Sequence, residues 1–327
     1  MPFLTRPLLY SSPPPSPSPS EGEGICNTRL RGEGSRWVVP DLRPYLVLGL
    51  ALGGVFALSG VGMVVLYRAT GVLNLAYGAV GALGALIAWS LINTLLLPDW
   101  LAYLVAVAFG GLATLAYGML FGPPLAQRDP LVKAVASLGF ALILLGIMSW
   151  AWSYQAHSLI LPTTQLGFQL GEVRVNGTQL LGLGLGVVVT VVTAVFLRFT
   201  RLGVAMRSLA NHRETTAMLG VPVRRVEAAA WLGSGLLSGA TGLLLSTLVG
   251  LDIVGLTFLV IAALSAALIG RLESLWGTMV AGLAIGVAQA VLTPFDAVSP
   301  YRTITPFLFA IVALLWFGAA GRGLSRA

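Results

Sequence analysis

Two histidines, one cysteine, one lysine and twelve carboxylates are the whole stock for metal, thiolate, amine or paired-acid chemistry in a chain of 327 residues. They do not assemble into a reaction centre. Lys133 follows Val132, so it cannot close a Gly-Lys-Ser/Thr phosphate loop. His157 and His212 fall in loops that the charge pattern places on opposite membrane faces, so they cannot share a metal ion. Cys26 has no second thiol for a disulfide or a thiolate cage. No Ser-His-Asp set, His-Glu-x-x-His run or carboxylate pair lies within one apolar segment. The expectation is therefore no catalytic residue, no metal, no cofactor and no nucleotide-binding loop in this chain.

What remains is polar chemistry placed where polarity is costly. In "GVLNLAYG" (71–78) Asn74 and Tyr77 supply the side-chain hydrogen-bonding groups at the start of an apolar run, and Gly71 and Gly78 allow close backbone approach. An unpaired amide in hydrocarbon costs a few kcal/mol, so Asn74 must meet protein, water or solute. Two readings stay open: Asn74, Tyr77 and Gly78 line a substrate pathway, or Asn74 caps a helix. Arg271 and Glu273 share a tight turn and read most simply as an interfacial ion pair. Asp252 and Asp296 sit at turns and read as solvated.

A second polar stretch, "LRFTRLGVAMRSLANHRETTAMLGVPVRRVEAAAW" (197–231), interrupts two apolar runs. Asn211 followed three residues later by Glu214 has the capping-box spacing, with Asn in place of Ser or Thr. Gly220 is a natural helix stop, and Pro222 prevents continuation. These signals predict a helix over 212–219, preceded by a short amphipathic piece over 203–210. Isolated helices shorter than about 12 residues are marginal in water, so something must dock them. The partner is either the chain's own membrane helices or another protein.

The elements that position these groups follow from composition. Hydrophobic residues make up 57% of the chain and charged residues only 9%, and the mean hydropathy is +0.89. Soluble domains carry roughly a quarter charged residues. Apolar runs long enough to cross a bilayer core of about 30 Å recur throughout. We read nine: 44–66, 75–97, 99–121, 132–152, 178–198, 226–250, 254–270, 274–293 and 303–319. The seventh is short and could be re-entrant, which would leave eight spans. The fold class is all-α, a polytopic membrane protein of about eight to nine transmembrane helices set in a lipid bilayer. Gly49/Gly53, Gly182/Gly186, Gly235/Gly239 and Gly282/Gly286 form small-xxx-small pairs that suit packed helices.

Positive charge sets the orientation. One group of short loops holds Arg68, Arg128, Lys133, six arginines from Arg198 to Arg225, Arg271, Arg322 and Arg326. The opposite group holds Arg174 and Arg302. The first group is read as cytoplasmic, which puts the C-terminus inside and the N-terminus outside. Basic residues dispersed between apolar runs in this way do not form a nucleic-acid surface, despite a pI near 10.1. Residues 1–36 are rich in Pro, Ser and Gly and read as a disordered extension without a signal peptide; a reading frame opened too early would explain them equally well. Residues 37–327 then form the transmembrane domain, with a cytoplasmic loop at about 199–225. "GVLNLAYG" and "GRLESLWG" (270–277) are weak echoes of one another.

"ETTAMLG" (214–220) resembles the Glu-Ala-Ala-x-x-x-Gly core of the coupling helix in ABC importer permeases, with Thr215 and Thr216 in place of the alanines. "LNLAYGAVGALGA" (73–85) is similar to the "INFAHGE" signature of inner-membrane permeases for branched-chain amino acids. "TRLGVAMRSLANHRETTAMLGVPVRRV" (200–226) is similar to that family's loop, and "DPLVKAVASLGFALILLG" (129–146) to its fourth-helix start. The likeness spans about 44–320 and is nearest the H-type subunit. It implies an ABC importer permease fold in a bacterial or archaeal cell (inner or plasma) membrane. It also implies an ATPase-coupling set of Arg207, Ala210, Asn211, Glu214, Thr215, Leu219 and Gly220. The partners implied are ABC ATPase subunits, a second homologous permease and an extracytoplasmic solute-binding protein, with Asn74 and Tyr77 facing a central cavity near the partner permease. Departures are visible: the family's His and acidic residue after "INFA" are Tyr77 and Ala79 here, its "GGLGSLPGA" reads "GRLESLWGT" (270–278), and its C-terminal Arg-Pro-x-Gly reads "FGAAGRG". The solute is accordingly expected to be a branched-chain or other hydrophobic amino acid, with urea or a short amide as the alternative. An ATPase-independent transporter and a membrane scaffold are the other function classes.

Overall fold

A computed structural model of the chain describes residues 42–126, 128–152, 157–170, 173–211, 213–258, 260–295 and 298–324. The extension at 1–36, Cys26, His212 and Asp296 lie outside the described residues.

Apolar sequence without competing polar side chains satisfies its backbone internally, and in a bilayer that means helix. The helices are α1 (Arg43–Thr70), α2 (Tyr77–Asn93), α3 (Asp99–Leu125), α4 (Pro130–Trp152), α5 (Gly177–Phe199), α6 (Arg201–Asn211), α7 (Arg213–Met218), α8 (Val223–Val249), α9 (Ile253–Phe258), α10 (Val260–Ile269), α11 (Leu275–Val291) and α12 (Thr305–Leu324). Five of them, α1, α3, α4, α5 and α8, are long and apolar enough to cross a membrane alone, and shorter apolar helices complete the bundle. Each of the nine apolar runs read from the sequence is helical over most of its described length. The sequence reading missed a small antiparallel hairpin, Gly167–Leu170 with Val173–Asn176, in which Phe168 faces Val175. It leads directly into α5, where the Gln179 side chain accepts the Asn176 N–H at 3.1 Å.

The seventh run is described as helix over Ile253–Phe258 (α9) and Val260–Ile269 (α10), and the contacts at its two ends show its route. Just before it, Leu251 exchanges backbone hydrogen bonds of 3.2 Å with His157, which follows the end of α4. Just after it, the Glu273 carbonyl accepts from Arg68 Nη1 at 3.1 Å, at the end of α1. Lys133, near the start of α4, shares a cavity with Arg68 and Glu273. The two ends of α4 thus mark the two ends of the bundle, and 253–269 runs from one to the other. It crosses. The same geometry gathers Arg68, Lys133 and α6 at one end, as the loop charges predicted, with Arg302 at the other.

α1 is the centre of the bundle, packed by α11, α5, α8 and α10. Its glycines explain how. A Cβ on Gly53 would lie 2.6 Å from Leu283 Cα of α11, one on Gly49 2.7 Å from Val287 Cα, and one on Gly282 2.6 Å from the Ala57 nitrogen. On another face, Gly54 meets α5 with 2.5 Å to Leu183 Cα. A second seam joins α3 to α8, where a Gly239 Cβ would sit 2.8 Å from Val107 Cα. Large apolar side chains point the other way: Leu112, Leu120, Ile143, Trp150, Val192 and Leu315 are exposed on α3, α4, α5 and α12. Small residues inside and bulky ones outside is the arrangement a lipid solvent favours.

Replacing Gly53 by Leu should force α1 from α11, with an overpacking penalty of about 1–3 kcal/mol or more. The detergent-solubilised chain should melt at a lower temperature and yield less monodisperse protein. Gly184→Leu, where an added Cβ meets nothing within 4 Å, should melt as the parent does.

Candidate functional site

The first candidate is the passage from α1 to α2. Gly71 ends α1 in the left-handed region, φ 67°, where glycine carries no Cβ penalty. The next five residues are non-helical yet inside the protein, so their backbone groups need partners. Thr70 Oγ1 donates to the Leu66 carbonyl at 2.8 Å and accepts from the Val72 N–H at 3.2 Å. Ser137 of α4 donates to the Leu73 carbonyl at 2.9 Å and accepts from the Leu75 N–H at 3.1 Å. Asn74 Oδ1 accepts from the Ala76 N–H at 3.1 Å, closing an Asx turn before α2. Its Nδ2 is buried with no partner among the described residues.

Tyr77 opens α2. Its carbonyl accepts from Ser238 Oγ at 2.6 Å, and its hydroxyl lies 3.4 Å from Thr241 Oγ1. Asn74 and Tyr77 are 1% and 2% exposed within the single chain, so neither forms part of a surface offered to a second permease. Gly78 has a packing role: a Cβ there would strike the Thr257 carbonyl of α9. Tyr77, Ser59, Ser238 and Thr241 border a cavity of about 10 Å³, room for about one water. Ser59, Ser137, Ser238 and Thr241 were not singled out from the sequence. The signal was there in part, since Ser238 and Thr241 stand three apart on one face of an apolar helix.

The second candidate is the segment 201–220, whose two helices differ in kind. On α6 the apolar residues Leu202, Ala205, Met206 and Leu209 recur at helical spacing. Met206 and Leu209 are buried in one cluster with Val65, Leu66 and Ala69 of α1, Leu197 of α5 and Val226 of α8. The expectation that both short helices need an outside partner is therefore corrected for α6, which docks on its own chain. Arg207 belongs to that docking: it is half-buried and donates from Nη2 to the Arg198 carbonyl at 3.4 Å, where a cation suits the C-terminal end of α5. Asn211 is the last described residue of α6 and Arg213 the first of α7, with His212 between them outside the described residues.

α7 is different. Glu214, Thr215 and Ala217 are exposed, Thr216 is buried, and Met218 and Leu219 are 86% and 79% exposed. Gly220 follows at φ 81°, its N–H donating to the Ala217 carbonyl at 3.0 Å. Ala210, with Leu209, borders a cavity of about 440 Å³ that also touches Arg68, Thr70, Lys133 and Glu273. In the adjoining turn Arg271 and Leu272 both hold positive φ, 55° and 56°, an uncommon conformation for side chains that large.

Residues 45–316 match the family described as branched-chain amino acid transport system, permease component. The high-affinity branched-chain amino acid transport system permease protein BraD of Pseudomonas aeruginosa is 28% identical over 296 residues, covering 85% of this chain and 95% of its own. The corresponding LivH protein of Escherichia coli is 25% identical over 286 residues, covering 82% and 91%. A LivH permease of Methanocaldococcus jannaschii is 25% identical over 271 residues, covering 80% and 84%. With the family's pattern running through nearly the whole bundle, α7 and the α1–α2 passage included, the chain belongs to the branched-chain amino acid transport system permease components, multi-pass proteins of the inner membrane.

Proposed function

We propose that this chain is a membrane-spanning subunit of an ATP-driven importer that carries branched-chain amino acids inward. The observation that carries the reading is α7: a short helix at whose end Met218 and Leu219 are exposed, while its neighbour α6 buries Met206 and Leu209 against its own chain. Two adjacent exposed apolar side chains, Met218 closing the six-residue helix and Leu219 just beyond it, suit a partner's groove. That partner is an ABC ATPase subunit at the arginine-rich end, which the charge bias assigns to the cytoplasm. The N-terminus is then outside and the C-terminus inside. Hydrolysis lies with the ATPases, since this chain has no Gly-Lys-Ser/Thr loop. A second homologous permease and an extracytoplasmic solute-binding protein complete the importer, as the relatives' place in transport systems supports.

A contiguous route connects the two candidate sites. α6 is packed on the last turns of α1, and Met206, Leu209, Val65, Ala69, Val72 and Tyr77 share one cluster. ATPase closure that displaces α7 therefore tilts α6 against the end of α1 and the buried turn that follows it. Asn74, Tyr77 and Gly78 then act from inside the chain, as the wall of the pathway beside the hydroxyl-lined cavity of Ser59, Ser238 and Thr241. Arg207, Ala210, Asn211, Glu214, Thr215, Leu219 and Gly220 form the coupling set, with Arg207 holding α6 in place and Leu219 meeting the ATPase.

Gly220→Val tests the coupling. A β-branched residue at this φ costs of order 1–3 kcal/mol locally and re-aims α7. In the complete importer, leucine uptake should fall about ten-fold with membrane abundance and ATP hydrolysis retained, a loss corresponding to about 1.4 kcal/mol of coupling. Normal uptake with normal hydrolysis would sink the assignment.

Asn74 and Tyr77 separate wall from cap. Asn74→Leu strands the Ala76 N–H and should destabilise the purified chain by about 1–3 kcal/mol, read as a lower melting temperature. Tyr77→Phe keeps the volume and should melt within about 1 kcal/mol of the parent while changing the leucine-to-isoleucine uptake ratio. An unchanged ratio in Tyr77→Phe would remove Tyr77 from the pathway.

A further inference from the structure

At the end of the bundle opposite α7, a cavity of about 280 Å³ opens between the first half of α1, the ends of α8 and α11, and the turn Ser299–Ile304. Leu52, Phe56 and Leu248 give it an apolar wall, with Phe56 fully buried. Gln289, Arg302 and Thr303 line it as well, and among the described residues none of the three side chains makes a hydrogen bond or an ion pair. A largely apolar hollow with a few unspent polar groups is the usual make-up of a small-molecule site.

We propose that this cavity receives the solute, an aliphatic α-amino acid bound as its zwitterion. Among the described residues Arg302 is the one formally charged residue of the wall and takes the carboxylate, which a guanidinium binds with two parallel N–H donors. The ammonium faces the Gln289 and Thr303 oxygens and the C-terminal ends of α8 and α11, which carry the negative pole of the helix dipole. The aliphatic side chain lies on Leu52, Phe56 and Leu248. One turn deeper, Ser59 on α1 and Leu245 on α8 border the hydroxyl-lined cavity, so the receiving site stands directly above the inner passage. The proposal rests on the reading of this chain as an amino-acid importer subunit, and adds to it the residues that recognise the solute.

The test is uptake of radiolabelled leucine by vesicles containing the complete importer, with leucinamide as competitor. Arg302→Gln should raise KM for leucine roughly ten-fold at nearly constant maximal rate, the scale of a lost charge-assisted hydrogen bond. The parent should prefer leucine to leucinamide, and the variant should lose that preference. Leu52→Trp, which fills the hollow, should weaken leucine uptake more than alanine uptake. If Arg302→Gln leaves KM and preference unchanged, the cavity is not the receiving site, while leucine uptake by the parent keeps the importer reading intact. If the parent takes up no leucine, isoleucine or valine, the amino-acid reading fails and this proposal falls with it. A defect that vanishes when anionic phospholipid is omitted, with the leucine preference kept, marks a lipid-headgroup site and overturns the proposal.

Discussion

Contact between helix backbones at glycine is the constraint on which everything else in this protein depends. Lipid tails are as apolar as leucine, so side-chain burial gives little net drive for one membrane helix to join another. What remains is close van der Waals contact, and it needs surfaces without side chains. α1 supplies them on two faces: Gly49 and Gly53 toward α11, Gly54 toward α5. With both faces occupied, α1 is held rigidly along its first half. Its C-terminal end emerges as the fixed point on which α6 and the turn into α2 are assembled.

That turn shows the second consequence of a lipid solvent. Five residues of non-helical backbone inside the protein would be ruinous unless each polar group found a partner. Thr70, Asn74 and Ser137 provide partners for the Val72, Ala76 and Leu75 N–H groups and the Leu73 carbonyl, the last two met by Ser137 from a helix more than sixty residues away. The result is a polar island in an apolar bundle, and the hydroxyls of Ser59, Ser238 and Thr241 continue it inward. Irregular backbone at membrane depth is tolerated where it lines a cavity or is enclosed by protein, and here it is both enclosed and adjacent to one.

The polar segment 201–220 divides its labour between two short helices. α6 is too short to hold itself in water, and it is held by Met206 and Leu209 against α1. α7 is left with Met218 and Leu219 outside. A lever needs one part fixed to the machine and one part free to be gripped, and the two helices are those two parts. Gly220 follows α7 on the side away from α6, and its positive φ lets the chain turn sharply into Pro222 and α8.

The sequence alone determined the helical membrane fold, because apolar runs of bilayer length admit little else. It also determined the two ends of the bundle: Arg68, Lys133 and the 198–225 arginines are sorted by the loops they occupy, and the structure gathers Arg68, Lys133 and α6 together. Gly220 as a stop and α6 as an amphipathic helix were legible from local chemistry. The hairpin at 167–176 was not, since four-residue strands carry too few alternations to register. Nor was the fate of α6, because an amphipathic face has the same pattern whether it meets its own chain or another. Asn74 and Tyr77 marked a place of unusual polarity, but only the tertiary structure enclosed both within one chain, by bringing Ser137, Ser238 and Thr241 to them from α4 and α8. Arg302 read as one of two charges on a quiet face until folding set it beside Phe56 and Gln289. Local sequence encodes what each segment can be; which segments become neighbours is decided by the shapes of whole helices, and no window of sequence contains that information.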